Sequence, residues 1–240
     1  MNPQVRAITL DLDDTLWPFA PIGARVEVVQ HAWLAEHCPR TAARFPLAEM
    51  RVLREAINAE HPHLAHDFST LRRLTLARAM ELAGDDPALA EPAFQAFYAE
   101  RNRVECYPDA IGALQRIAAR LPVAAITNGN ADLARIGLRE HFAFQLGASE
   151  HGAAKPDPGI FRAACERLGE APHHVLHVGD DIELDVLGAH RAGLRTCWIH
   201  RDDLHPDPVW PHAHVRPDLA FPTLDALADW LDAHLQDDVA

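Results

Sequence analysis

AITLDLDDTLW, residues 7–17, sets an apolar run directly before three aspartates within four positions. Residues 5 to 13 read as a buried strand. Side chains alternate along a strand, so Asp11 and Asp13 point the same way while Leu12 points into the core. Like charges a few ångströms apart repel by roughly 1 kcal/mol in water and about 4 kcal/mol at the dielectric typical near a protein surface. An acid pair at the tip of a hydrophobic strand therefore needs a partner of opposite charge.

From about residue 20 to 105 the apolar spacing is helical: Val26, Val29, Trp33; Met50, Leu53, Ile57; Leu71, Leu74, Ala77; Phe94, Phe97, Tyr98. That segment reads as a helical bundle of its own. After the helix start at Pro108-Asp109 the texture changes to helix then strand. Strands are predicted at Val123 to Thr127, Phe144 to Ala148, Val175 to Val178 and Thr196 to Ile199. Helices are predicted from about 131, at about 157 to 168 and near 183 to 191. This rhythm calls for a parallel sheet covered on both faces. The proline-rich stretch His205 to Pro222 reads as loop, and Leu224 to Leu235 as a closing amphipathic helix. The expected architecture is an α/β, doubly wound parallel-sheet core of Rossmann type from residues 1–18 and 107–240. An α-helical cap, 19–106, is inserted after the first strand.

The chain has 240 residues and 48% hydrophobic content, ample for a packed core. No apolar stretch approaches the roughly 20 residues that cross a bilayer, so no membrane is expected as a partner. Met1-Asn2-Pro3 begins no signal peptide, and the four scattered cysteines form no CxxC pair. A cytoplasmic protein is expected. A net charge of -13 without a basic stripe argues against nucleic acid. Of the 22 basic residues only Lys155 is a lysine, which singles out position 155 as one where an ammonium is needed or a surface remnant.

Ligands of doubly wound sheets sit outside the carboxyl ends of the strands. Asp11 and Asp13 stand at the first such end, Thr127 and Asn128 at the next, and Gly179, Asp180 and Asp181 at that of the fourth, with Asp185 one turn on. Clustered acids need a cation. Carboxylate and carbonyl oxygens with no thiolate or imidazole among them suit Mg²⁺, which also takes substrate phosphate. Lys155, between the third strand and its helix, would offset remaining negative charge as a point ammonium that arginine's planar fork would replace poorly. An aspartate in that setting is a competent nucleophile toward phosphorus. A carboxyl two residues on can protonate a leaving alcohol and then activate water.

DLDDTLW, ITNGN, Lys155 in AAKPDP, and HVGDDIELDVLGA, in that order and spacing, resemble the haloacid dehalogenase superfamily on its phosphatase side. The resemblance implies the core just described, with a helical cap of the kind inserted after the first motif, and hydrolysis of a small phosphorylated metabolite through an aspartyl phosphate. It makes Asp11 the nucleophile and Asp13 the acid and base. Thr127 and Asn128 would hold phosphoryl oxygens, and Lys155 would steady the phosphoryl group. Mg²⁺ would take Asp11, Asp180 and the backbone carbonyl of Asp13, with Asp185 supporting from behind. Asp181 either reaches the metal through water or caps a helix. The phrases LPVAAITNGNADL, HVGDDIELDVLGAHRAGLRTCWI and STLRRLTLARAM look most similar to bacterial phosphatases acting on FMN and on the 5-amino-6-(5-phospho-D-ribitylamino)uracil of riboflavin synthesis. Broad sugar-phosphate phosphatases and phosphomutases share the core phrases.

Several residues have blander readings. Asp14 is expected to shape a turn, and Thr15 to hydrogen-bond within it. Trp17 and Phe19 either line the leaving group or make a hydrophobic hinge contact. Arg72 and Arg73 read as a solvated helix face rather than a second phosphate contact. His205, His212 and His214 around Trp210 lack the spacing of a zinc site, and His173, His174 and His177 read as packing or surface residues. Two further functions compete. A phosphoacceptor signalling domain shares an acid pair, threonine and lysine, but is shorter and has no such insert. A dehalogenase of the same superfamily attacks carbon and has no use for the crowd of Asp13, Asp180 and Asp185.

Overall fold

The first apolar run forms strand β1 (Ala7–Leu10), buried along its whole length. In the computed structural model, which describes residues 5–204, 206 and 209–235, the helix-then-strand rhythm produces β2 (Val123–Thr127), β3 (Phe144–Gly147), β4 (Val175–Gly179) and β5 (Arg195–Ile199). A sixth strand, β6 (Leu219–Phe221), lies inside the stretch expected to be loop. It is three residues long, pairs only with β5, and is at best half-buried. A strand that short on a sheet edge carries too few apolar positions to announce itself between Pro217 and Pro222.

All pairings are parallel, in the order β3-β2-β1-β4-β5-β6. This is the doubly wound order, whose direction reverses between β1 and β4 and opens a ligand crevice there. Receiver modules use the flavodoxin-like order 2-1-3-4-5, so the topology speaks against a phosphoacceptor domain.

The sheet is apolar on both faces. Ala7, Ala124, Ile126 and Val175 join one core cluster with Ile160, Phe161, Ala164 and Cys165 of the helix Pro158–Leu168 and with Ala189 and Ala192 of the helix Gly188–Ala192. Alternation places Thr9 and His177 on that face and leaves Ile8, Leu10, Val123, Ala125, Leu176 and Val178, also buried, for the other. Burying each large aliphatic side chain contributes roughly 1.5–3 kcal/mol. Asp109 precedes the helix Ala110–Ala118 without capping it. Its Oδ2 accepts the Leu224 N–H at the start of the helix Leu224–His234 (2.8 Å), and its Oδ1 takes a hydrogen bond from Arg201 (2.6 Å).

The described residues divide into two compact units. One holds the chain up to Pro18, Glu105–Gly129 and everything from Leu133; the other holds Phe19–Val104 with Asn130–Asp132. The second unit contains the helices Phe19–His37, Pro39–Arg44, Leu47–Glu60, Phe68–Ala83 and Ala90–Arg101. The Asp67 side chain caps Phe68–Ala83 by accepting from the Thr70 N–H, and Gly84 ends it at φ 79°, a backbone region glycine enters without strain. The buried stripes are Ile22, Val26, Gln30, Leu34 and Leu71, Thr75, Leu76, Ala79, Met80. Both are rotated from the stripes predicted by spacing, because Gln30 and Thr75 are buried polar positions that an apolar count passes over. Arg72 is not on a solvated face: it donates to Gln30 Oε1 (3.0 Å) and lies 3.9 Å from the Phe97 ring centroid. Arg73 stacks on Phe94 at 3.6 Å and pairs with Glu91. Aromatic faces attract these guanidinium groups.

Candidate active site

Asp11 follows β1 directly, and its N–H continues the ladder to Val178 O of β4 (2.9 Å). Its carboxylate is thereby fixed at the crevice between β1 and β4. There Lys155 Nζ lies 2.6 Å from Asp11 Oδ1 and 2.6 Å from Asp185 Oδ1, and only 3% of Lys155 is exposed. The single lysine is therefore a buried counter-charge and not a surface remnant. Its main chain is clamped from both sides by the Asn128 amide: Lys155 N–H donates to Oδ1 (2.7 Å) and Nδ2 donates to Lys155 O (2.9 Å). Thr127 is buried beside it, with Oγ1 accepting the Gly129 N–H (3.0 Å).

Carboxylate oxygens of Asp11, Asp180 and Asp185 lie within 4.8 Å of one another, the one such ligand-like group among the described residues. Burial lifts the Asp11 carboxyl to about 7, with Lys155 opposing and Asp185 adding to the rise. Burial, then Asp11 and Asp185, likewise raise Asp180 well above the carboxylate range. Burial would also raise Asp185, yet Lys155 and His177 outweigh it and hold that group below the usual range. The Lys155 ammonium loses from burial but gains more from Asp11 and Asp185, and is held above its ordinary value. One ammonium thus serves a group of three carboxyls and pairs with two of them, Asp11 and Asp185. The two raised acids, Asp11 and Asp180, are the pair whose charge is not balanced, which is what a divalent cation would correct.

Asp185 is fully engaged. Its Oδ1 takes Lys155 and His177 Nε2 (3.1 Å), and its Oδ2 accepts the Asp181 N–H (3.1 Å). Gly179 makes this possible, since a Cβ there would lie 2.3 Å from the Asp185 carboxyl. Asp181 is a cap: its Oδ1 accepts from Glu183 and Leu184 N–H at 2.8 Å each, opening the π-helical turn Ile182–Leu187.

The loop after Asp11 departs from the sequence reading at Thr15. Thr15 does not bond within its turn; its hydroxyl reaches across the crevice to Asp180 Oδ1 (2.8 Å), while its carbonyl accepts from Arg201 (2.8 Å). Trp17 is wholly buried, as the hydrophobic-contact reading expects, and its indole N–H donates to Asp13 Oδ1 (2.8 Å) and aims that carboxylate. The carboxylate group of three omits Asp13, whose side chain is held by Trp17. Asp14 sits at φ 59° and donates its N–H to Trp17 O (2.7 Å), a turn role that aspartate tolerates. Phe19 belongs to the helical unit, with Arg101 5.3 Å from its ring centroid.

His177, which its strand setting reads as packing, is a buried link between Thr9 Oγ1 (2.9 Å from Nδ1) and Asp185. The signal for it in the sequence is a polar residue in an otherwise apolar central strand, two residues before Gly179. His212 pairs with Glu183 (2.7 Å) and His174 with Glu170 (3.6 Å); His173 tilts against His174. His205 lies outside the described residues.

The family model described as haloacid dehalogenase-like hydrolase matches residues 5–193. The chain belongs to this hydrolase family. Among curated relatives of these hydrolases, it is 33% identical over 221 residues to the 5-amino-6-(5-phospho-D-ribitylamino)uracil phosphatase YigB of Escherichia coli (strain K12), covering 88% of this chain and 92% of the relative. It is 34% identical over 229 residues to a phosphoserine phosphatase of Thermus thermophilus, covering 85% and 92%. A solved structure, the 2-haloacid dehalogenase from Pseudomonas syringae pv. Tomato DC3000, superposes with a TM-score of 0.88 at 34% identity over 97% of this chain and 100% of that one. No helix among the described residues is long and apolar enough to cross a membrane.

Proposed function

We propose that the chain is a cytoplasmic, Mg²⁺-dependent phosphatase that hydrolyses a small phosphomonoester through a phosphorylated Asp11, with the inserted helical unit acting as a cap. The observation that carries this reading is the carboxylate cluster of Asp11, Asp180 and Asp185, two of whose members, Asp11 and Asp185, are paired with the Lys155 ammonium. Asp11 and Asp180 would supply the carboxylate ligands, joined by the Asp13 carbonyl, and Asp185 supports them through Lys155. Mg²⁺ bound there supplies the positive charge that lets an ionised Asp11 meet a phosphate dianion.

A carboxylate oxygen of Asp11 forms a bond to phosphorus as the ester P–O bond breaks, and the Asp13 carboxyl gives its proton to the departing alkoxide. Lys155 holds Asp11 and meets the phosphoryl charge. The Thr127 hydroxyl, which accepts from Gly129, donates to a phosphoryl oxygen. Asp13, now ionised, takes a proton from water as its oxygen bonds to phosphorus, and the acyl-phosphate P–O bond to Asp11 breaks. Phosphate leaves and both carboxyls return to their starting states. Asn128 acts by fixing Lys155 rather than through its own amide on phosphate.

The preferred substrates are the 5-amino-6-(5-phospho-D-ribitylamino)uracil named for the Escherichia coli relative and FMN, which would place the chain in riboflavin metabolism. A dehalogenase reading has the 0.88 superposition in its favour. One assay separates the two: phosphate release from an aryl phosphate with Mg²⁺ or with EDTA, beside halide release from a 2-haloacid. Mg²⁺-dependent phosphate release supports the phosphatase, and EDTA-resistant halide release without it overturns that reading. A panel of phosphorylated metabolites then tests the substrate; FMN and the ribitylamino-uracil phosphate ranking no higher in kcat/KM than simple sugar phosphates would remove that assignment.

A further inference from the structure

We propose that Thr9 and His177 are positioning residues that set the Lys155 ammonium against Asp11 by fixing Asp185. Four hydrogen-bonded steps connect them: Thr9 Oγ1 to His177 Nδ1 (2.9 Å), His177 Nε2 to Asp185 Oδ1 (3.1 Å), Lys155 Nζ to the same Oδ1 (2.6 Å), and Lys155 Nζ to Asp11 Oδ1 (2.6 Å). Thr9 and His177 are register partners on β1 and β4, and both are buried. An ionised carboxylate only accepts, so Nε2 carries the imidazole proton and Nδ1 accepts from the Thr9 hydroxyl. Phe161 stands edge-on to the ring at 4.9 Å and 84°, which fixes its rotation about the Thr9–Asp185 line.

One oxygen of Asp185 serves two donors. The imidazole N–H therefore determines where Oδ1 sits, and Oδ1 determines where the ammonium sits. With the Asp181 N–H on Oδ2, the carboxylate cannot rotate without losing bonds at both ends. Supporting partners of this kind typically contribute about 10- to 100-fold to activity when a bound ligand depends on their orientation. The kinetic part of this inference rests on the phosphatase reading; its spectroscopic part does not.

The chain's single lysine makes the test direct, because a protein grown with ¹⁵N-lysine gives one Nζ signal that needs no assignment. In the full-length protein that signal is expected from a hydrogen-bonded, slowly exchanging ammonium, with the His177 ring nitrogens showing the Nε2–H tautomer. His177→Phe keeps a ring and loses the N–H: the Nζ signal should be lost to exchange, and kcat should fall about 10- to 100-fold with KM unchanged. His177→Gln keeps a donor and should recover most of both. Thr9→Val keeps the shape and removes the hydroxyl; Asp185 still selects the Nε2–H tautomer, but the ring loses its second anchor and the Nζ signal should exchange faster. A wild-type Nδ1–H tautomer overturns the proposal, as does His177→Phe with an unchanged Nζ signal and kcat. Should His177→Phe not fold, an unchanged Nζ signal in Thr9→Val overturns it. Absence of phosphate release from the wild type, with the spectra responding as stated, removes the phosphatase reading and leaves the positioning role standing.

Discussion

Proton and metal compete for Asp11, and the competition has a calculable size. The Asp11 carboxyl rises from 3.8 to about 7 on folding, chiefly through burial, which at about 1.4 kcal/mol per pH unit amounts to about 4 kcal/mol. Between those two values the folded chain keeps a proton that the unfolded chain has lost. The Asp11 contribution to the stability of the metal-free protein therefore falls as pH rises from about 4 to about 7 and is lost above 7, while His177, lowered by burial, works in the opposite sense below its ordinary value. Asp180, also raised, acts in the same direction as Asp11. Asp185 is depressed and Lys155 raised, so both titrate outside this window. Below pH 7 an incoming Mg²⁺ must displace the Asp11 proton. Its association constant should rise by at least about tenfold per pH unit over this range, more where Asp180 is also protonated, and flatten once both acids are ionised. Isothermal titration calorimetry in two buffers of different ionisation enthalpy measures both quantities. About one proton or more should be released at pH 6, fewer at pH 8, and Asp11→Asn should lose most of the slope. A Mg²⁺ affinity that is constant from pH 5 to 8, with no proton release, would refute the reasoning.

Substitutions at three positions probe the scaffold around this site. Lys155→Met should lower kcat by about 100-fold, in line with loss of one charge-stabilising donor. Its Tm should drop less at pH 5, where Asp11 can take up a proton, than at pH 8; Lys155→Arg should not restore turnover, since a planar fork does not fit two carboxylates at 2.6 Å from one nitrogen. Asn128→Ala removes both clamps on the Lys155 main chain and should cost about 1–3 kcal/mol in urea unfolding, with kcat falling more than KM rises. Arg201→Gln breaks the buried pair with Asp109 and releases the Thr15 carbonyl, at about 3–5 kcal/mol by the same unfolding measurement. The exposed Arg116→Ala is the control and should shift the urea midpoint far less, because solvent screens its pairs with Asp225, Asp229 and Asp232.

The regular part of this molecule is legible in its sequence because parallel strands buried on both faces read as short apolar runs, and Val123–Thr127 matches its run residue for residue. Polar residues at strand ends are legible for the same reason: nothing apolar explains them. The partners of those residues are not. Thr15 reaches Asp180 across 165 positions, and Trp17 turns inward to hold Asp13; neither follows from spacing, because both depend on how the loop folds back over the crevice. His177 and Asn128 have contacts that spacing does not announce: the histidine resembles packing yet braces Asp185, and the asparagine side chain clamps the Lys155 backbone. β6 escapes the pattern because an edge strand of three residues has almost no alternation to read.

The central claim is that phosphorus passes through Asp11. Mass spectrometry of peptides from enzyme quenched in acid during turnover of an aryl phosphate with Mg²⁺ tests it most directly. A phosphoryl group on Asp11, absent in Asp11→Asn together with phosphate release, is the predicted result. Turnover with no phosphorylated Asp11 peptide, and phosphate release undiminished in a folded Asp11→Asn, would contradict it.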